Sequence, residues 1–172
     1  NVREIAAVMD RAVLIGQGGP SGPSNIVIGR RGDNEYSFIN SGILTTSGAI
    51  AGTNAVAVNI EGLSSNGTIY TTTLTGGFSN AGGDINSVAL DATATGVRIG
   101  GYAIMPTLNN SGDIGVATTD STTNTATGAV GNKGGSAYGI LIEQNAQVRT
   151  LLNSGKILVT SDGLTSGAYG VV

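Results

Sequence analysis

Arg31, Gly32 and Asp33 spell the tripeptide that integrins recognise, in a polar stretch where a protruding loop is expected. In a chain with 29 glycines the same three residues also arise as an ordinary charged turn. Carboxylates are the other group with chemistry to offer. Acid–base cleavage of a glycosidic bond needs two of them about 5 to 10 Å apart in a groove. Asp33 and Glu35 would share one face of a strand, and Asp91 and Asp113 would approach each other if their segments stacked. The remaining acids are scattered, as solvated surface acids are. No catalytic residue is assigned. The expectation is a protein that is not an enzyme, with a polysaccharide lyase or glycosidase as the alternative.

The glycine-rich stretches are weaker candidates. Gly16-Gln17-Gly18-Gly19 follows the apolar Ala12 to Ile15, but Pro20 and Pro23 come next and no helix begins, so a phosphate-cradling loop lacks its context. Gly128 to Gly134 holds Lys133 without the Gly-Lys-Ser/Thr ending of a phosphate loop. Both read as turns. Ser79-Asn80-Ala81-Gly82-Gly83-Asp84 touches the Gly-Gly-Asp theme of calcium β-rolls once, without the nine-residue recurrence. The chain has no Cys and no His, which removes disulfides and the usual zinc sites. No cofactor or metal is expected.

Composition narrows the class. Hydrophobic residues make up 40% and charged ones 11%, under half of the usual share of about 25%. Gly, Asn, Ser and Thr fill the gap, so the surface is polar without being ionic. A net charge of −3 provides no basic patch, and nucleic acid is not an expected partner. Aromatic residues are 4%, which leaves few platforms for stacking sugars. No run approaches the roughly 18 apolar residues of a membrane-spanning helix, and Asn1-Val2-Arg3-Glu4 is not a signal peptide. The finish at Ala168-Tyr169-Gly170-Val171-Val172 reads as the start of another repeat, so the chain is expected to be a piece of a longer protein.

The elements that would position these residues are short strands. Ile26-Val27-Ile28, Ala55 to Val58, Ser87 to Leu90, Gly139 to Ile142 and Ile157 to Val159 are apolar runs that stop at Gly, Asn, Ser or Asp. Arg3 to Leu14 reads equally as an amphipathic helical turn or a strand. An Asn-Ser-Gly turn feeding a strand recurs at Asn40-Ser41-Gly42, Asn110-Ser111-Gly112 and Asn153-Ser154-Gly155, with weaker copies at Asn66-Gly67 and Asn80-Ala81-Gly82-Gly83. A small residue framed by larger ones recurs in Val56-Ala57-Val58, Val88-Ala89-Leu90, Tyr102-Ala103-Ile104, Tyr138-Gly139-Ile140 and Tyr169-Gly170-Val171. Copies at 56 and 88 lie 32 residues apart, and those at 138 and 169 lie 31 apart.

Like strands recurring at long intervals stack in parallel, whereas hairpins need short links between paired runs. The expected fold is therefore all-β: a right-handed, single-stranded parallel β-helix, a β-solenoid with degenerate repeats and protruding loops. Coils of roughly 20 residues at about 4.8 Å spacing would give about 8 coils and a rod of about 40 Å. Residues 1–172 would form one continuous segment, with 1–35 a less regular start. Inward Ile, Val, Leu and Ala would stack in columns, the turn Asn residues would stack likewise, and Ala57, Ala89, Ala103 and Gly139 would suit a narrow core. Thr71-Thr72-Thr73 reads as a polar strand face. Thr118 to Gly131, rich in Ser, Thr, Asn and Gly, reads as a long loop leaving the rod.

From about Tyr36 onward the Asn-Ser-Gly-x-Ile unit and the Ala-Tyr-Gly-Ile strands resemble the passenger regions of Gram-negative autotransporters and haemagglutinin-like adhesins. That resemblance implies an extracellular or cell-surface location and a structural or adhesive stalk. It also implies membrane attachment only through a C-terminal β-barrel, a pattern this sequence lacks. Expected partners are neighbouring repeats or copies of the chain itself in a fibre or layer, and a host receptor or glycan reached through Arg31, Gly32 and Asp33 or the Thr118 to Gly131 loop.

Overall fold

Short runs of Val, Ile, Leu and Thr pack on a pleated surface, and Gly, Asn and Asp end them by turning the chain. The structure is a computed structural model that describes residues 13–15, 23–30, 36–48, 50–123 and 126–172. Among the described residues there are 17 strands and no helix. The chain visits three faces in turn. The first circuit comprises β1 (Val13–Ile15), β2 (Ile26–Ile28), β3 (Phe38–Asn40) and β4 (Ile43–Gly48). The second runs through β5 (Ala55–Ile60), a side hairpin of β6 (Leu63–Ser65) and β7 (Thr68–Tyr70), then β8 (Thr72–Leu74), β9 (Phe78–Asn80) and β10 (Asp84–Leu90). The third holds β11 (Ala94–Ile99), β12 (Ala103–Asn110) and β13 (Asp113–Thr119). The fourth holds β14 (Ala137–Ile142), β15 (Gln147–Asn153) and β16 (Lys156–Ser161), and β17 (Ala168–Val171) starts a fifth.

Each circuit lays its strands on those of the one before. The first sheet is β1-β5-β11-β14-β17 and the third is β4-β10-β13-β16. Between them, β12 spans both β8 and β9, which carry β2 and β3, and β15 lies on the far side of β12. All of these pairings are parallel. The expected strands at 26–28, 55–58, 87–90, 139–142 and 157–159 are all present.

The period differs from the expected one. Val58, Val97, Ile140 and Val171 share one column of the first sheet, which makes successive circuits 39, 43 and 31 residues long. A circuit is about 40 residues because it crosses three faces and carries excursions, so the described stack has four full levels, about 20 Å. Tyr138 and Tyr169 do pair, at the expected spacing of 31. Val56 and Val88 do not: the first lies on β5 and the second on β10, in different sheets.

The interior is built of like on like. Leu44, Ile85, Ile114 and Ile157 form one column, and Phe38, Phe78, Leu108 and Leu151 another. The Phe38 and Phe78 rings stack at 5.3 Å. Ala57, Ala89 and Ala103 are buried, as the narrow core requires. Gly139 is buried too, and a Cβ there would press on Ile157 and Val159 across the core.

The turn asparagines stack as expected. Asn40, Asn80, Asn110 and Asn153 share one column, and each Nδ2 donates to the next Oδ1 at 2.8 Å. Asn66 does not join them. Asn66 and Gly67 have φ of 51° and 77°, the left-handed pair that a tight two-residue hairpin needs, and they link antiparallel β6 and β7 outside the stack.

Candidate functional site

Register decides which surface groups meet. Asp84 opens β10 and Asp113 opens β13, and the two are direct partners on adjacent parallel strands. Ile43 precedes them in the column and Lys156 follows. Asp84, Asp113 and Lys156, with Asn86, Ile114, Gly115 and Leu158, line a shallow depression of about 200 Å³. Adjacent strands put such side chains roughly 5 Å apart at their bases. The expected approach of Asp91 to Asp113 is corrected: Asp113 meets Asp84, while Asp91 lies beyond the far end of β10. There Asp91 accepts hydrogen bonds from the Ser121 backbone N–H at 2.7 Å and the Ser121 hydroxyl at 2.6 Å. Sequence reasoning missed Asp84 as the partner: it follows Asn80 by four residues whereas Asp113 follows Asn110 by three, and the extra residue hides the shared register.

A second polar cluster straddles three levels. Arg98 on β11 donates from Nε and Nη2 to the Glu143 carboxylate at 2.8 and 2.7 Å. Its Nη1 donates to Glu61 Oε2 at 2.5 Å and to Asn59 Oδ1 at 2.8 Å. The hydrogen bond with Glu143 raises the Arg98 pKa most, burial opposes it, and Glu61 adds to the rise. Four of the five guanidinium N–H groups are engaged in these bonds, so this cluster clamps successive circuits. Nothing in sequence spacing announced it, because its members are 37 and 45 residues apart.

The third feature is the connection from β13 to β14. The expected loop begins later than Thr118, which is buried within β13. Its anchor is Asp120. Burial alone would raise this carboxyl, but hydrogen bonds from the Thr122 hydroxyl and from the backbone N–H groups of Thr122, Gly134 and Lys133 outweigh it and lower the pKa to about 2. The glycine-rich 128–134 stretch does cradle an anion, and that anion is the chain's own carboxylate. A Cβ at Gly131 would overlap Asp120.

Arg31, Gly32, Asp33 and Glu35 lie outside the described residues, as do Gly16 to Gly19 and Arg3 to Ala12. Arg30 and Tyr36, on either side of the tripeptide, line a depression of about 210 Å³ with Gly76, Pro106 and Thr107. Ser79 and Asn80, the start of the calcium-like stretch, are buried in β9. Among the described residues no group of three or more Asp, Glu, His or Cys is placed to hold a metal ion. No protein-family model, no curated protein and no solved structure matches this chain.

Proposed function

We propose that this chain is a segment of an extracellular, right-handed parallel β-solenoid that serves as a structural and adhesive stalk, in the manner of autotransporter passengers. The observation that carries the reading is the in-register stacking of like residues over four levels on three faces, with an unbroken asparagine ladder that is buried at Asn40, Asn80 and Asn110. Such stacking satisfies the backbone between levels, extends without limit along one axis and needs no disulfide. The handedness follows from the parallel returns to each sheet, since such crossovers are right-handed in nearly all proteins. Loops such as 120–136 and the Arg31-Gly32-Asp33 segment are the natural places for contact with a receptor or glycan.

Immunogold electron microscopy of the source cells with antibody against this chain tests the assignment. Label along fibres or a continuous surface layer is expected, and label confined to the cell interior would overturn it. Loss of cell attachment in Asp33→Ala would locate the adhesive contact at the tripeptide. The paired Asp84 and Asp113 in their depression favour one other reading, an enzyme acting on an acidic or neutral polysaccharide. Release of oligosaccharides by the native chain, abolished in Asp113→Asn, would establish it in place of the stalk.

A further inference from the structure

We propose that Asn66 is a site of covalent modification: the backbone nitrogen of Gly67 attacks its side-chain amide, without an enzyme, and converts it to aspartate and isoaspartate. The change opens the β6–β7 hairpin and leaves the stack intact, and nothing in it depends on the stalk reading above. Attack needs a following N–H that is not tied up, a carboxamide that is not held, and a backbone free enough to bring them together. Asn66 and Gly67 form the tip of the hairpin with φ of 51° and 77°, and both are exposed. Neither the Asn66 side chain nor the Gly67 N–H has a hydrogen-bond partner among the described residues. Gly67 has no side chain to hinder the approach. Strands β6 and β7 pair only with each other, and a lone two-stranded hairpin is marginal in water, so the turn opens without disturbing any other strand.

Every other described asparagine lacks one of these conditions. After Asn80, Asn110 and Asn153 the next N–H donates to the asparagine carbonyl of the level before. After Asn132 it donates to the Asp120 carboxylate, and after Asn25, Asn54 and Asn145 to the carbonyls of Thr71, Thr93 and Glu143. Asn59, Asn86 and Asn109 sit inside paired strands, where the next N–H belongs to the ladder of backbone hydrogen bonds. Asn40 is followed by an open N–H at Ser41, but it is 6% exposed and its amide is held by Asn80 and Gly42. The bonds that stack the levels thus protect the asparagines that stack them.

The atoms balance with water and base alone. The Gly67 nitrogen gives its proton to base and bonds to Asn66 Cγ; the Cγ–Nδ2 bond breaks, and ammonia leaves with a proton taken from water. The cyclic imide that remains adds water at either carbonyl. Opening at Cγ gives aspartate in an unchanged main chain. Opening at the main-chain carbonyl of residue 66 gives isoaspartate, whose main chain runs through Cγ with an extra methylene. Either product adds one negative charge to the net −3. The extra methylene lengthens a turn of two residues, and the register of Leu63, Ser64 and Ser65 with Tyr70, Ile69 and Thr68 is lost.

The test is ageing of the intact chain at mildly alkaline pH, followed by peptide mass spectrometry that reads each asparagine and separates isoaspartate from aspartate. Asn66 should convert first. Glycine is a faster follower than serine even in an unfolded peptide, so the readout is the ratio of the Asn66 rate to the Asn110 rate, folded against unfolded in urea. Folding should raise that ratio at least about tenfold, because the Ser111 N–H is tied up in the stack and the Gly67 N–H is not. A ratio unchanged by folding would overturn the proposal, as would an Asn66 that converts in urea but not in the folded chain. The isoaspartyl form, separated by its added charge on ion exchange, should lose amide protection in β6 and β7 and keep it in β10 to β13. Retained protection in β6 and β7 would overturn the opening of the hairpin, and lost protection in β10 to β13 would overturn its separation from the stack.

Discussion

At the scale of the residue, asparagine is the pivot of this molecule. Its side chain carries both donor and acceptor, so a column of Asn residues can pair with itself indefinitely, which ionised Asp, an acceptor only, cannot do. Asn80 and Asn110 are fully buried, and no buried side-chain nitrogen or oxygen among the described residues lacks a partner. Truncating one member strands its neighbours. Asn110→Ala should lower unfolding free energy by about 2 kcal/mol in urea titration, because the Asn80 amide loses its 2.8 Å acceptor inside the stack. Asn153→Ala, at an exposed end, should cost less than about 1 kcal/mol by the same measurement. Equal losses at the two positions would mean that the ladder does not act through buried pairing.

At the scale of the element, excursions are separable from the stack. Strands β6 and β7 pair only with each other, so replacing 63–70 with a short Gly-Ser link should leave the far-ultraviolet spectrum of the stack intact and shift Tm by only a few degrees. The 120–136 loop is different, because its start is tied to Lys133 and Gly134, near its end, by the Asp120 carboxylate. Its folded pKa of about 2 lies below the ordinary 3.8, so the stabilisation it contributes is complete above about pH 4 and is lost as pH falls through 2. Protection of the Lys133 and Gly134 amides, relative to their intrinsic exchange at each pH, should accordingly fall between pH 4 and pH 2. In Asp120→Asn those amides should exchange fast throughout, with no step in that range.

At the scale of the whole molecule, stability is a sum over neighbouring levels. Levels two and three have a neighbour on each side, whereas β3, β4, β15 and β16 are outer strands of their sheets. Hydrogen exchange should therefore be slowest in β10 to β13 and fastest in β3, β4 and β16. Uniform protection from end to end in dilute solution would argue against stacking as the source of stability. The same one-dimensional logic explains why the chain tolerates circuits of 31 to 43 residues: only the strands must superpose, while connections lie outside the columns.

The all-β class, most strand positions and the asparagine column were legible in the sequence, because turn residues and alternating apolar residues act locally and declare themselves within a few positions. The spacing of Tyr138 and Tyr169 was legible for the same reason, in a circuit without excursions. Circuit length was not, since Asn66-Gly67 looks like another copy of the stacking turn until its partner strands are seen to pair with each other. Nor was the surface chemistry. Asp84 beside Asp113, and Arg98 between Glu61 and Glu143, depend on register between strands about 30 to 45 residues apart, and register is set by packing over the whole column. By itself the sequence determined what each level is made of; only the tertiary structure decided which levels touch, because contacts across a parallel stack have no fixed interval along the chain.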